Sequence, residues 1–279
     1  MVIEIAGHRG ARGLMPENTL SAFFEACRLG ADVIELDVVI SADLKVVVSH
    51  DPWMSPIFST KPDGSPVTTE DFHQYNIFKM NYDEIRKFDC GIRTNFSFPH
   101  QKSVPSYKPL LSEVISEVEL FNQTHNLNEI IYLVEIKFEE SQVGFFYPNV
   151  KDYCDLVLDV INKSGINDRI ILQSFDLNIM REFKKRQQLY KLALLIENDF
   201  SVEKNISDLG FVPDRYSCYF GLLKPDDIEY LHSQNIKVIP WTVNEIADMK
   251  RLLDWSVDGI ITDYPDRAVS HFRAFSGSK

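Results

Sequence analysis

Short apolar runs alternate along this chain with longer stretches whose apolar residues recur every three to four positions. The first pair sets the pattern. "VIEIAGHRG" reads as a strand ending at Gly7-His8, and "NTLSAFFEACRLG" follows it as a helix. Leu20, Phe23, Phe24 and Cys27 share one helical face, Asn18 or Thr19 is the N-cap, and Gly30 is the stop. "DVIELDVVI" and "KVVVSHD" are strands joined by the turn signal "SADL". Residues 52–108 break the rhythm. They are rich in Pro, Ser and Thr around one short helix, "NYDEIRKFD", and read as an insertion or long loop. Alternation then resumes. The strands are "IIYLVEIK", "RIILQSF", "KLALLIE", "YSCYF", "KVIPWTV" and "DGIITD". The helices are "LLSEVISEVELFNQ", "KDYCDLVLDVINKSG", "DLNIMREFKKRQQ", "KPDDIEYLHSQN", "NEIADMKRLLDW" and "PDRAVSHFRAF", while 199–212 fits neither template.

Repeated β–α units with apolar strands predict an α/β protein with a parallel sheet. About eight units fit a (β/α)8 TIM barrel, which takes roughly 250 residues. The alternative, an open doubly wound sheet, calls for a glycine-rich phosphate turn after the first strand. "GHRGARG" instead carries a His-Arg pair there.

A barrel of this kind places its active site at the C-terminal ends of its strands. The chemistry of this sequence lies at those ends: His8-Arg9, Glu35 and Asp37, His50-Asp51, Glu135 and Lys137, and Trp241. Residues two apart on a strand face one side, so Glu35 pairs with Asp37 and Glu135 with Lys137. Two carboxylates roughly 5 Å apart repel by about 3 kcal/mol at an effective dielectric near 20. A divalent cation relieves this more fully than a shared proton, and oxygen ligands select Mg2+ or Ca2+. With Arg9 and Lys137 nearby, open positions on such a cation suit a phosphate ester. His8 and His50 can then serve as general acid and base, because imidazole titrates near neutral pH.

Composition narrows the partners. A formal net charge of −12 over 279 residues disfavours nucleic acid, so positive charge for an anionic substrate must be local. Cys27, Cys90, Cys154 and Cys218 are scattered and read as reduced, packed thiols. The chain has no apolar run of 18 residues, so no membrane insertion is expected, and "MVIEIAGHRG" has no signal-peptide pattern. A cytoplasmic protein is the expectation, with a previously removed leader left open. No oligomeric state follows from any of these features.

The ordered motifs "HRG", "PENTLSAF", "GADVIELDV", "SHD" and "VEIK" together resemble the glycerophosphodiester phosphodiesterase family. The resemblance spans the whole barrel and is strongest over residues 5–51. It implies a TIM barrel over 1–279 with a small insertion, residues 52–108, after the second barrel strand. It implies His8 and His50 as acid and base, Glu35, Asp37 and Glu135 as ligands of one divalent cation, and Arg9 and Lys137 on the phosphate. "PWTVN" resembles the family's tryptophan-bearing strand, which places Trp241 in the substrate pocket, and "DGIITDYP" resembles its closing strand. The implied reaction releases glycerol 3-phosphate and an alcohol from a small-molecule glycerophosphodiester. "PWMSPIFSTKPDGSPV" and "KPLLSEVI" depart from the family's usual sequence, and both changes bear on substrate identity.

Plainer roles compete at single positions. Glu35 and Asp37 could simply pair with Arg9 and Lys137 inside the barrel, but the histidines in the same layer favour a metal site. Glu17 and Asn18 read as helix-start residues, with Glu17 able to orient Arg9. Asp51 reads as a support for the site, and Gln173 and Phe175 as pocket residues at a strand end. The remaining histidines read as surface or loop residues. Trp53, Phe58 and Phe78 in the insertion are aromatic candidates for holding a leaving alcohol. Rival functions are a phospholipase D-like enzyme on lysolipids, a non-catalytic binding protein on the same barrel, and a metal-dependent sugar isomerase or epimerase.

Overall fold

The computed structural model describes residues 3–186 and 190–273. Val2, Gln187, Gln188, Ala274 and Phe275, at the ends of three expected elements, lie outside the described residues. Eight parallel strands form the barrel: β1 (Glu4–Gly7), β2 (Val33–Ile40), β4 (Ile131–Ile136), β5 (Ile170–Ser174), β6 (Lys191–Ile196), β7 (Arg215–Cys218), β8 (Lys237–Val238) and β9 (Gly259–Thr262). They neighbour one another in the order β8-β7-β6-β5-β4-β2-β1-β9. Backbone bonds from Asp258 N–H to Val238 O (3.0 Å) and from Ile261 N–H to Pro240 O (2.9 Å) tie β9 back to the β8 segment and close the ring.

The strand β3 (Val46–Val48) stands apart. It pairs antiparallel with the end of β2, Val38 opposite Val48 and Ile40 opposite Val46. This hairpin carries β2 beyond the barrel rim and turns the chain back, so that His50 returns to the mouth instead of starting another barrel strand.

Helices α1 (Leu20–Leu29), α3 (Leu111–Thr124), α4 (Val150–Ser164), α5 (Leu177–Lys185), α6 (Val202–Leu209), α7 (Pro225–Ser233), α8 (Ile246–Asp254) and α9 (Pro265–Arg273) each follow a barrel strand. The cap of α1 is Thr19, whose Oγ1 accepts from Ala22 N–H, and the helix stops at Gly30 with φ +86°. The unassigned stretch 199–212 contains α6, capped by Ser201 and ended by Gly210. Eight residues are too short a stretch for an apolar stripe to stand out in the sequence, and the local caps and the barrel packing define it.

Residues 52–108 join β3 to α3 and hold only two 3-10 turns and the short α2 (Tyr82–Ile85) as helix. Their order comes from isolated backbone bridges, such as Trp53 with Asn76 and Thr60 with Asp89, and from buried side chains: Met54, Ile77 and Ile85 are fully buried. Trp53 packs against Phe72 and Phe146, and Lys108 and Lys79 lie over the rings of Phe58 and Phe78. These three aromatics serve the packing of the insertion and do not line the cavity at the barrel mouth.

The strands have two apolar faces. Ile5, Ile34, Leu36, Tyr132, Val134, Leu172 and Leu194 pack outward under the helices. Ala6, Val33, Leu133, Ile171, Ala193, Ile239 and Ile261 fill the inside. Below that plug, Arg215 forms a forked ion pair with Glu4, across the barrel between β7 and β1. The opposite end is left for chemistry.

Candidate active site

Following the inward positions along each strand, the side chains change from apolar to reactive. Ala6 is followed by His8, Val33 by Glu35 and Asp37, and Leu133 by Glu135 and Lys137. Ile171 is followed by Gln173, Ile239 by Trp241, and Ile261 by Asp263. The period of two selects the face, and the apolar plug beneath sets the level. The result is a cavity of about 300 Å³ at the C-terminal mouth, lined by His8, Arg9, Glu35, His50, Glu135, Lys137 and Trp241 among others.

Parallel register sets Asp37 beside Glu135. Oxygens of Glu35, Asp37 and Glu135 all lie within 4.8 Å of one another, and all three residues are buried. Their other partners hold them in place. Arg9 N–H donates to Glu35 Oε2 (2.9 Å), Gln173 Nε2 to Glu35 Oε1 (3.1 Å), and Asn18 Nδ2 to Asp37 Oδ2 (2.8 Å). Lys137 Nζ donates to Glu135 Oε1 at 2.6 Å, and Arg9 Nε lies 3.2 Å from Asp37. The chain reaches this geometry through a tight turn. Arg9 and Gly10 both have positive φ, +49° and +84°, which puts the Arg9 amide on Glu35 and the Gly10 amide on the Glu35 carbonyl. A side chain at Gly10 would meet the backbone of Ala22 at 2.6 Å.

Charge is out of balance here. Glu17, Glu35, Asp37, Glu135 and Asp263 share three cations, Arg9, Arg12 and Lys137, which leaves an excess of two negative charges. Burial, with Asp37 and Glu135 adding to it, pushes the Glu35 carboxyl well above the usual carboxylate range. Burial raises Glu135 too, with Lys137 opposing. Asp37 is equally buried, but Arg9, His50 and Lys137 hold it well below its ordinary value. Three buried hard oxygen donors with that excess fit a divalent cation, and the buried Oε1 of Gln173 beside them has no hydrogen-bond partner.

Each histidine is oriented by a carboxylate. His8 Nδ1 meets Asp263 Oδ1 at 2.7 Å, and His50 Nδ1 meets Asp51 Oδ1 at 2.8 Å, so that Nε2 of each ring remains for the cavity. Burial lowers the His8 pKa, with Asp263 pulling it back up. Asp263 is itself held by Arg12 Nε (3.1 Å) and Asn244 Nδ2 (2.8 Å). Burial alone would raise its carboxyl, but the bond to His8, the His8 charge and Arg12 bring it down to about 2.

The residues expected from the strand ends thus meet in one place. Glu17 does hold Arg9, accepting from its Nη1 at 2.8 Å, and Gln173 and Phe175 line the cavity. Asn18 is the larger surprise: the helix cap is Thr19, and Asn18, with φ +55°, turns inward to Asp37. Arg12, Asn244 and Asp263 were not singled out by the sequence. Asp263 had the same signal as the others, an acid just past an apolar strand.

Fold and site together define the class: a (β/α)8-barrel enzyme built for phosphate esters. The model of the glycerophosphoryl diester phosphodiesterase family matches residues 8–267, and the chain belongs to that family as a phosphoric diester hydrolase. It is similar to a glycerophosphodiester phosphodiesterase of Caldanaerobacter subterraneus subsp. tengcongensis, 28% identical over 269 residues, 96% of this chain and 97% of that one. One from Bacillus altitudinis is 30% identical over 270 residues, with 95% and 96% covered. Among solved structures, a Silicibacter pomeroyi protein assigned as a glycerophosphoryl diester phosphodiesterase superposes with a TM-score of 0.87 at 26% identity, covering 98% of this chain and 94% of that chain. An Oleispira antarctica phosphodiesterase in complex with the product sn-glycerol-3-phosphate shares the fold, with a TM-score of 0.75 at 19% identity and 96% of each chain covered.

Proposed function

We propose that this enzyme hydrolyses glycerophosphodiesters to glycerol 3-phosphate and an alcohol, with His8 and His50 as general acid and base. The observation that carries the reading is the meeting, in one cavity, of two carboxylate-oriented histidines, a three-carboxylate cluster and two cations. Glu35, Asp37 and Glu135 would hold one Mg2+ or Ca2+, which supplies electrostatic stabilisation of the phosphoryl oxygens when bound. Arg9 and Lys137 bind the phosphate, and Trp241 forms the pocket wall with its indole N–H fixed to Ser217 O at 2.8 Å. One histidine takes the proton of the glycerol hydroxyl beside the phosphate as that oxygen bonds to phosphorus. The other gives a proton to the departing alkoxide as its P–O bond breaks. Water then opens the cyclic phosphate, with the two proton transfers reversed.

In this reading the chain works as one barrel unit with 52–108 inserted in it. The four cysteines, all unpaired and buried, support a reducing, cytoplasmic setting. Among the described residues no helix is long and apolar enough to cross a membrane.

The test is turnover of a panel of glycerophosphodiesters after chelation and readdition of Mg2+ or Ca2+. Loss on chelation and recovery with one of the ions is the expected result, and absence of turnover under every condition rejects the reading. Lysophosphatidylcholine belongs in the panel. A mouse lysophospholipase D is 26% identical over 290 residues, and Phe145 and Phe200 are exposed on loops at the barrel's C-terminal face.

A further inference from the structure

Lys108, the last residue of the insertion, is 5% exposed. It opens "KPLLSEVI", which contributes no side chain to the cavity lining. A buried ammonium needs a counter-charge or hydrogen bonds for its three N–H donors. Among the described residues Lys108 makes one side-chain hydrogen bond, Nζ donating to Ser49 Oγ at 2.7 Å, and it forms no ion pair. Its other neighbour is the Phe58 ring, whose centre lies 5.8 Å from Nζ. A methionine would fill this space without desolvating a charge. Packing therefore does not account for Lys108.

The bonds that start at this ammonium lead to His50. Ser49 is fully buried, and its hydroxyl accepts from Lys108 and donates to the Asp51 carbonyl at 2.6 Å. The Ser49 amide donates to the Asp37 carbonyl at 2.9 Å, which ties the same turn to β2. Asp51 is the one side-chain partner of the His50 ring among the described residues. The two histidines differ in how their carboxylates are held. Asp263, beside His8, is gripped directly by Arg12 and Asn244. The Asp51 carboxylate has no second side-chain hydrogen bond among the described residues, so its place depends on the backbone of 49–51. Charge works in the same direction. Burial alone would raise the Asp51 carboxyl, but the bond to His50, the His50 charge, Lys108 and Arg9 bring it below its ordinary value.

We propose that Lys108 is a positioning residue for His50: through Ser49 it fixes the turn 49–51 and so aims the His50 ring into the cavity. This rests on the phosphodiesterase reading above, in which His50 moves a proton. Lys108 does not reach the substrate. It gives the insertion a part in catalysis from behind the site.

The experiment measures kcat and KM on the glycerophosphodiester panel for the wild type, Lys108→Met, Ser49→Ala, His50→Ala and the double variant Lys108→Met with His50→Ala. Lys108→Met should lower kcat by about tenfold and leave KM within about twofold, because a small misplacement of a reacting group costs rate rather than binding. Ser49→Ala, which keeps the lysine and removes its link, should do the same, and it carries the test if Lys108→Met does not fold. In the His50→Ala background the Lys108 substitution should change kcat by less than about twofold, since the group it positions is gone. With the wild type active, an equal fall in both backgrounds, or an unchanged kcat in Lys108→Met and Ser49→Ala, overturns the positioning role and leaves the phosphodiesterase reading intact. A wild type active on none of the panel overturns both.

Discussion

At the residue scale, the site depends on side chains held by second partners. Glu35→Ala removes one carboxylate of the proposed metal site and also frees Gln173 and the Arg9 amide. Calorimetric titration with Mg2+ and Ca2+ should show binding in the wild type that is lost in Glu35→Ala, and equal binding in both would remove the metal assignment. His8→Ala and His50→Ala should each lower kcat by roughly 10²–10⁴, the range for a general acid or base. Full activity in either would reject the pairing. Asp263 adds a pH dependence. Its folded value of about 2 lies below the unfolded carboxyl near 3.9, so its stabilising contribution is complete above about pH 4 and is lost as pH falls toward 2. That contribution amounts to about 2 kcal/mol. Acid unfolding followed by circular dichroism should show this limb in the wild type and a shallower one in Asp263→Asn. The eight residues proposed for catalysis, substrate binding and metal binding were legible because each is a polar or aromatic side chain on or just past an apolar strand. Asp263, Arg12 and Asn244 were less so, because Asp263 meets His8 across most of the chain length and Arg12 and Asn244 act by holding Asp263, which no local pattern encodes.

At the element scale, the β1–α1 connection carries the most constraint. Arg9, Gly10 and Asn18 all have positive φ, and two of them bring a side chain onto Asp37. Gly10→Ala would cost about 1–2 kcal/mol for backbone conformation alone. The 2.6 Å approach to the backbone of Ala22 adds to that, so about 3 kcal/mol in urea unfolding is expected, and a loss below about 1 kcal/mol would contradict the close packing. The helix α1 was legible from its stripe and caps, and α4 was expected from Lys151 to Gly165, where it runs from Val150 to Ser164 between the caps Asn149 and Gly165. The helix α6 was not, because it spans only eight residues. The insertion resisted reading for a different reason. Its order comes from aperiodic contacts such as Trp53 on Phe146, so its aromatics resemble ligand surfaces in sequence and turn out to be packing.

At the scale of the whole molecule, the barrel separates stability from chemistry. The Arg215–Glu4 pair closes the end away from the cavity, with Arg215 3% exposed. Breaking a buried pair typically costs about 3–5 kcal/mol, and partial exposure of Glu4 reduces this to about 2 kcal/mol for Arg215→Met. The denaturation midpoint should drop accordingly while kcat/KM stays within about twofold, and a large loss of activity would show that the two ends are coupled. The sequence by itself determined the alternation of strands and helices, the inward parity of His8, Glu35, Asp37, Glu135 and Lys137, and the kind of chemistry those groups can perform. These follow from periods of 2 and 3.6, which are local properties of the backbone. Ring closure decided the rest. It placed β9 against β1, giving His8 its Asp263, and brought Arg9 and Lys137 from separate strands onto Asp37. Such contacts depend on how eight units pack around a single interior, and distance along the chain carries no record of them.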